Sequence, residues 1–391
     1  MDFNLLAALQ KDTVNFLVTE DRGIHTKSAT LGIKNRVLNI AGAIYFLQGF
    51  ISKHPPPPPD VKCAIAHTLN QGDPIFNTLR ADYPGFDEWL RKCRLEHRDC
   101  WVIEDRANDR IAGLCLINDE TKDMSQYGVT GKILKLCTFK VSEDYGGRRY
   151  GELLLKAAFA YADVNSYDWI FVTVLPKYPR PISFFSDFGF SVVGQSRSGE
   201  LLLFKSMRPL EGGSDTPLEF HRKYGPYNID FSSAQAYLVP IKPVYHNLLF
   251  PELDNMPGLF DYNTPFGNSI RKAYLSNSQI RRIEPGAIVF FYRSHDLRKI
   301  TTIGVVENTK ISVDPDEIAC FVGKRTVYSY QAIKDLSRSE VLSILFRQAF
   351  NLNEPIGISG LIEKGFLGGP PQSISSLSEP AKKCLLEKIK R

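Results

Sequence analysis

Apolar and polar positions alternate in two different periods along residues 62–208. Period-two or continuous apolar runs predict strands in AIAHTL, DCWVIED, DRIAGLCLIND, GKILKLCTFKV, DWIFVTVL, FSVVGQ and ELLLFKSM. Three-four spacing predicts helices in PGFDEWLRKCRLEH, GRRYGELLLKAAFAYADV and PISFFSDFGF. The second and third strands are predicted to form a hairpin joined by residues 106–109. This order indicates a mixed α/β (α+β) domain, a sheet with flanking helices.

One predicted helix follows a loop that could bind an anion. Two glycines and two arginines precede it, and its apolar face consists of Tyr150, Leu153, Leu154, Ala157, Ala158 and Tyr161. The first amides of a helix have no intrahelical acceptor, and glycines let a ligand approach the backbone closely. We therefore predict a phosphate or pyrophosphate site formed by Gly146, Gly147, the first amides of the helix, at Tyr150 and Gly151, and the charges of Arg148 and Arg149. The alternative is a glycine turn with both arginines solvated.

Two segments predict domain boundaries. ISKHPPPPPDVK contains five consecutive prolines, which favour a polyproline II spacer over residues 55–61. RPLEGGSDTPLEFHRKYGPYN is rich in loop-forming residues and predicts a linker over residues 209–226. The predicted organisation is a segment 1–54, a central domain 62–208 and a third domain 227–391.

The third domain carries many short strand patterns. QAYLVPI, AIVFFYRS, TTIGVVENTKI and TVYSY are predicted strands, and SNSQIRRI and RSEVLSILFRQAF are predicted helices. Such a mixture is typical of a small β-barrel with peripheral helices. Its basic residues, which include Arg271, Lys272, Arg281, Arg282, Lys324 and Arg325, are interleaved with aromatic residues and suit RNA. The alternative is a solvated basic face over a barrel filled by the aromatic side chains.

Composition restricts the class of protein. The chain has 391 residues, 43% of them hydrophobic and 23% charged, and a formal net charge of +5. Such a weak positive charge is compatible with polyanionic ligands without requiring them. The seven cysteines are scattered without a CxxC pair, so we expect reduced thiols, no zinc site and a cytoplasmic location. No apolar run is long enough for a membrane span.

The central domain resembles the GNAT superfamily of acyl-CoA-dependent N-acetyltransferases. Val141, Tyr145, Gly147, Arg148 and Gly151 fall at the spacing of that family's cofactor motif, and FFSDFGF resembles the end of its fourth helix. The sequence departs from the motif at two positions: Gly146 replaces the usual Gln or Arg, and Arg149 replaces the middle glycine. The resemblance implies a mixed twisted sheet in which two strands splay apart around acetyl-CoA or another acyl-CoA. It also implies that the amides of residues 146–151 bind the pyrophosphate.

The catalytic residues are less clearly marked than the cofactor loop. Related enzymes commonly use a tyrosine to protonate the leaving thiolate, and Phe185 occupies that position here. Tyr178, Ser183 and Ser186 are the candidate substitutes. The fourth strand lacks the glutamate that the family often uses as a base, and Cys137 is expected to be a buried thiol. A domain that binds acyl-CoA without catalysis is the main alternative.

The flanking segments resemble two other families. NFLVTEDRGIHTKSATLGIKNRVLNIAGAIYFL resembles the second half of a PIN nuclease domain, but the half that would supply the other carboxylates is absent, so Glu20 and Asp21 are expected to be structural relics or a helix cap. IRRIEPGAIVFFYRS followed by GVVEN resembles PUA-like domains, including ASCH domains, which commonly bind RNA. The sequence as a whole predicts an N-acetyltransferase acting on an amine acceptor, with a PUA-like barrel that associates with RNA. The rivals are an acyl-CoA-sensing RNA-binding protein and a remnant of a PIN nuclease fusion.

Overall fold

The computed structural model describes residues 2–11, 13–40, 43–44, 47, 61–210, 215–253 and 269–389. The chain forms two compact units. The central unit comprises residues 18–45 and 58–211, and the C-terminal unit comprises residues 1–17, 46–57 and 212–391. Residues 18–45 therefore belong with the predicted acetyltransferase domain, whereas the sequence placed them in a separate N-terminal segment. The proline run 55–59 lies outside the described residues.

The elements up to residue 206 begin with a helix, a two-stranded sheet and a second helix, and continue with a seven-stranded sheet. The helices are α1 (Asp2–Gln10), α2 (Arg22–Thr30), α3 (Asn77–Asp82), α4 (Phe86–Leu95), α5 (Tyr150–Val164) and α6 (Pro179–Asp187). The strands are β1 (Leu17–Val18), β2 (Val37–Leu38), β3 (Val61–Ile65), β4 (Asp99–Asp105), β5 (Arg110–Asp119), β6 (Ile133–Val141), β7 (Trp169–Val174), β8 (Ser191–Gln195) and β9 (Leu201–Ser206).

The seven-stranded sheet has the order β3-β4-β5-β6-β7-β9-β8. All neighbouring strands are antiparallel except β6 and β7, which run parallel. The parallel pair needs a crossover connection, and the amphipathic helix α5 supplies it. The mixed sheet, the hairpin β4–β5 and the three predicted helices of this region are confirmed. Pattern reasoning missed α3 and placed the first strand, AIAHTL, too far along the chain, because residues 66–68 form a 3₁₀ turn.

The N-terminal residues Glu20 and Asp21 have structural roles. Asp21 is the N-cap of α2, and its side chain accepts hydrogen bonds from the amides of Gly23 and Ile24. The Glu20 carboxylate accepts one from the amide of Ile40 at 2.8 Å. Capping was one of the two roles expected for these carboxylates.

The C-terminal unit contains a second, six-stranded sheet with the order β11-β14-β13-β12-β10-β15. Its strands are β10 (Ala236–Ile241), β11 (Arg271–Ser276), β12 (Ile288–Arg293), β13 (Lys299–Ser312), β14 (Val341–Gly357) and β15 (Ser375–Leu377). The remaining helices are α7 (Pro217–Tyr224), α8 (Pro243–Leu249), α9 (Pro315–Val322), α10 (Tyr330–Leu336), α11 (Ser359–Glu363) and α12 (Glu379–Leu386). Among the described strands, β11 and β15 lie at opposite edges, so no pairing closes the predicted barrel.

Three expectations for this unit are wrong. RSEVLSILFRQAF forms most of β14 rather than a helix: residues 341–349 are all buried, and a continuous apolar run does not distinguish a buried strand from a buried helix. SNSQIRRI ends a strand and continues as a loop. TVYSY is no strand, because Ser329 caps helix α10, which begins at Tyr330.

All seven cysteines are free thiols. No helix in the part of the chain that the structure describes combines the length and the apolar character that crossing a membrane requires.

Candidate functional site

The parallel strands β6 and β7 separate to form a notch. They pair from Ile133 with Trp169 to Leu136 with Val172, and then β6 continues to Val141 without β7 as its neighbour. The separation begins at a β-bulge in β6: Leu136 and Thr138 face consecutive residues of β5, so the intervening residue, Cys137, has no opposite partner. A bulge bends its strand and redirects the side chains that follow it. The notch therefore opens at the carboxyl ends of the two strands.

The predicted phosphate loop leads from this notch to helix α5. Gly147 has φ +80° and Arg149 has φ +64°, both in the left-handed region, and the helix begins at Tyr150. Arg149 stands where the family motif has its middle glycine, so the arginine keeps the backbone conformation that glycine adopts readily. The amides of Tyr150 and Gly151 open the helix and have no intrahelical acceptor. This geometry fits a diphosphate group, since the amides at the start of a helix attract anions.

The two adjacent arginines differ in what they contact. The Arg149 guanidinium forms an ion pair with Glu152, with 2.9 Å from Nε to Oε2, so its charge is balanced within the first turn of α5. The Arg148 guanidinium lies over the Tyr145 ring, 4.9 Å from its centroid. The Tyr145 hydroxyl donates to Asp105 at 2.5 Å, and burial together with this carboxylate raises the pKa of Tyr145 to about 12. The Arg149 charge is thus compensated within α5, whereas the Arg148 guanidinium stacks on an aromatic ring of the loop.

Residues from the segment 18–45 lie beside this loop and beside helix α6. The Asn39 side-chain nitrogen is 2.9 Å from the position that a Cβ on Gly146 would occupy. The Lys34 ammonium donates to Ser183 Oγ at 3.1 Å and lies 3.4 Å from the Asp187 carboxylate. The N-terminal segment thus contributes directly to the surroundings of the predicted cofactor loop, which no pattern in the sequence had indicated.

The three candidate proton donors have different surroundings. Tyr178 lies four residues after the end of β7, as the N-cap of α6, and its hydroxyl donates to Asp82. Ser183 is bonded to Lys34 instead, and Ser186 is exposed on α6. Phe185, at the family's tyrosine position, is 2% exposed, and its ring centroid lies 5.0 Å from that of Phe139 on β6.

Asp82 is one of two carboxylates near the notch that sequence reasoning missed. It lies at the end of α3, and its carboxylate accepts hydrogen bonds from the Tyr178 hydroxyl and from the Lys177 ammonium, the latter at 2.5 Å. Hydrogen bonds from Lys177 and Tyr178 hold the pKa of Asp82 below its usual value, and the bond to Asp82 raises the pKa of Tyr178. The Tyr178 phenol therefore stays protonated at neutral pH. Lys140, on the β6 side of the notch, has a pKa lowered by burial.

The second missed carboxylate is Glu200, which precedes β9. Its Oε1 accepts hydrogen bonds from the Tyr83 hydroxyl at 3.1 Å and from the Thr173 hydroxyl at 3.0 Å. Tyr83 and Glu200 are 117 residues apart in the sequence. The only feature of the sequence that could have indicated Glu200 was its position as a polar residue next to a strand that neighbours β7. Many carboxylates in loops share that feature.

Cys137 is only partly buried at the bulge, whereas the sequence predicted a buried thiol. Burial raises its pKa, and the nearby Arg98 guanidinium, 3.7 Å from the sulfur, opposes that shift only in part. A thiol with a raised pKa is a poor nucleophile at neutral pH, because the thiolate is the reactive form.

The basic residues predicted to bind RNA are unequally available in the C-terminal unit. Lys272 is fully buried and its ammonium donates to the carbonyl of Leu249, so it contributes nothing to a basic surface. Arg271 and Arg325 both bind the buried carboxylate of Glu307, at 3.1 and 2.9 Å. Burial and pairing thus remove three of the predicted cations from the solvated surface.

Two of the other predicted cations of this unit are exposed. The Arg281 side chain is 57% exposed and pairs with Glu340 at 2.6 Å, and the Arg282 side chain is 81% exposed and pairs with Glu284. The side chain of Lys324 lies outside the described residues. Arg281 and Arg282 are therefore the described members of the set that a polyanion could reach.

Parts of this chain are similar to known proteins. Residues 66–190 match the model of the acetyltransferase (GNAT) family. An N-acetyltransferase structure from Staphylococcus aureus Mu50 is similar at 16% sequence identity, covering 38% of this chain and 98% of that one with a TM-score of 0.31. An ASCH structure from Zymomonas mobilis is similar at 14% identity, covering 40% of this chain and 96% of that one with a TM-score of 0.32. No curated protein matches the chain.

The family match includes the notch, the glycine loop and helix α5, and it supports the expectation of an acetyl-CoA-dependent enzyme. The predicted GNAT fold and enzyme class are confirmed at this level. Residues 66–190 form an acetyltransferase domain of the GNAT family.

Proposed function

We propose that the central unit binds acetyl-CoA with its diphosphate on residues 146–151 and transfers the acetyl group to an amine. The observation that carries this proposal is the combination of the splayed strands β6 and β7 with a left-handed glycine loop that opens helix α5. Beyond Leu136, the edge of β6 that faces away from β5 has no β7 partner, so its backbone groups can bind an extended ligand.

The chain's own residues supply binding and proton transfer. When bound, acetyl-CoA supplies a thioester whose acetyl group can be transferred to an amine. The amides of Tyr150 and Gly151 and the Arg148 guanidinium would hold the diphosphate. Tyr178, whose hydroxyl donates to Asp82 in the free protein, would instead donate its proton to the sulfur as the C–S bond breaks. The proton that the amine nitrogen loses as the N–C bond forms would restore the phenol. A weak acid suffices because the pKa of a thiol is about 8.5.

Calorimetry with acetyl-CoA tests the cofactor site. Gly147→Glu places bulk and negative charge on the loop, so we expect the binding of the wild-type protein to be lost. Gly128→Glu is the matched control, because Gly128 also has positive φ, +72°, and a side chain there would meet nothing within 4 Å. Equal binding by both variants, or no binding by the wild-type protein, would contradict the proposal.

A second candidate function is acyl-CoA binding without turnover. The buried Phe185 favours it, because the family's usual proton donor is replaced by a core residue. Release of free CoA thiol in the presence of an amine separates the two functions: binding without thiol release over a broad amine screen would favour the sensor, and steady release would exclude it.

RNA association of the C-terminal unit is the second part of our proposal. The exposed pair Arg281 and Arg282 supports it, since exposed cations can neutralise phosphates. Fluorescence anisotropy with a single-stranded RNA measures this association. We expect the double variant Arg281→Glu and Arg282→Glu to weaken it and Arg338→Glu, at another exposed arginine of the same unit, to change it less.

A further inference from the structure

The Glu200 carboxylate has an unusual set of partners for a partly buried charge. Three hydroxyl groups donate to it: Tyr83 at 3.1 Å, Thr173 at 3.0 Å and Ser198 at 3.1 Å. No basic nitrogen lies within 4 Å of its carboxylate in the part of the chain that the structure describes. Its negative charge is therefore oriented by neutral groups and remains available to a cation.

The position of this carboxylate connects it to the notch. Thr173 directly follows Val172, the last residue of β7 that pairs with β6, so Glu200 is anchored where the two strands separate. Tyr83 reaches the same carboxylate oxygen from the end of α3. Glu200 thus lies beside the region where the acceptor must meet the acetyl group.

Asp82 provides the contrast, because it lies next to Tyr83 in the sequence. Its carboxylate is already paired with Lys177 at 2.5 Å. Burial and the Glu200 charge raise the pKa of Tyr83, so its phenol remains a neutral donor to Glu200. Of the two carboxylates, only Glu200 retains an unneutralised charge among the described residues.

We propose that Glu200, with Tyr83 and Thr173, binds an alkylammonium group of the acceptor that is not the reacting amine. This inference rests on the proposed acetyltransferase function. An amine must be neutral to attack a thioester, and a nearby carboxylate stabilises the protonated form of an amine. If Glu200 bound the reacting amine directly, it would keep that amine protonated and slow its attack on the thioester. An acceptor with a second cationic group can instead place that group on Glu200. The acceptor class is a diamine or a compound with two such groups.

Two amines of equal chain length test the inference with the full chain. We measure acetyl transfer from acetyl-CoA to 1,4-diaminobutane and to n-butylamine in the wild-type protein and in Glu200→Gln. We expect the wild-type protein to prefer the diamine and the variant to lose about tenfold or more of that preference, through a higher KM for the diamine, as for a lost charge-assisted hydrogen bond. Transfer to n-butylamine, which has no second cationic group, should fall by a smaller factor than transfer to the diamine.

The matched control is Glu88→Gln, which removes the same charge from an exposed position on α4. It should leave the preference intact. Glu200→Asp keeps the charge but withdraws it by one methylene, and it should give an intermediate preference. Acetyl-CoA affinity and the thermal transition of each variant, compared with the wild-type protein, show whether it is folded.

The outcomes separate this inference from the proposed function. A wild-type protein that transfers acetyl equally to both amines, or a Glu200→Gln variant that keeps the full preference, would overturn the role of Glu200 while leaving the acetyltransferase intact. If acetyl-CoA binds but neither amine is acetylated, calorimetry measures the binding of 1,4-diaminobutane to the wild-type protein and to Glu200→Gln. Equal affinity of the two proteins for the diamine would overturn the inference. Absence of acetyl-CoA binding would instead overturn the proposed function itself.

Discussion

Replacing Glu307 by glutamine should strongly destabilise the C-terminal unit. Glu307 lies at a bulge of β13, and its side chain is 4% exposed. Arg347 binds its Oε1 at 2.8 Å, and Arg271 and Arg325 bind its Oε2 at 3.1 and 2.9 Å. Arg271 and Arg347 also face each other directly across β11 and β14, so the carboxylate separates like charges.

The magnitude follows from burial. Removing one member of a buried ion pair costs about 3–5 kcal/mol, because a charge is left uncompensated, whereas an exposed pair contributes at most about 1 kcal/mol. We therefore expect Glu307→Gln to lower the free energy of unfolding by about 3 kcal/mol or more. Glu340→Gln is the control, since Glu340 pairs with Arg281 on the surface, where both side chains are more than half exposed.

Urea unfolding followed by circular dichroism measures the loss, and hydrogen exchange of the β13 amides assigns it to this unit. Trp fluorescence reports the other unit, since Trp89, Trp101 and Trp169 all belong to the central unit. If Glu307→Gln costs no more than Glu340→Gln, the reasoning from burial is refuted.

The same contacts predict a pH dependence. Burial alone would raise the pKa of Glu307, but the three guanidiniums outweigh it and hold the pKa well below its usual value. A carboxyl group with a depressed pKa stabilises the folded state above its unfolded pKa of about 4.3, and this contribution is lost as the pH falls through the folded value. The difference in stability between the wild-type protein and Glu307→Gln should therefore shrink below pH 4.3 or so.

Two further predictions concern the central unit. Tyr178→Phe should lower kcat for acetyl transfer about a hundredfold by removing the proposed acid, with little change in acetyl-CoA affinity, whereas Ser186→Ala should change neither; a kcat within about threefold of the wild-type value would exclude the role of Tyr178. Gly146→Ala should cost about 1 kcal/mol in thermal unfolding, because its Cβ would lie 2.9 Å from the Asn39 amide nitrogen. Adding Asn39→Ala should recover part of that loss, and an unchanged loss in the double variant would show that the contact is not the cause.

Sequence patterns predicted the elements of the central unit better than those of the C-terminal unit. The helix from Tyr150 has one apolar face and follows a glycine loop, so periodicity and turn chemistry agree there. The stretch from Val341 onwards is apolar without a decisive period, and its tertiary surroundings made it a strand. Local preferences specify an element when several of them agree, and tertiary contacts decide the others.

The site shows the same division. The loop at Gly147 and Arg149 was visible in the sequence because a glycine-rich turn before a helix depends on local backbone conformation. The burial of Lys272 and the hydrogen bond from Tyr178 to Asp82 both depend on residues that are distant in the chain. No local pattern separates a buried cation from an exposed one.

The sequence by itself determined the strand-helix order of the central unit and the glycine loop that opens helix α5, because both follow from short-range periodicity and backbone sterics. Only the tertiary structure decided that Tyr83 and Glu200 meet beside the notch, and that residues 18–45 belong to the central unit. Those contacts join residues far apart in the chain, and their geometry depends on how the sheet and its helices pack rather than on any local preference.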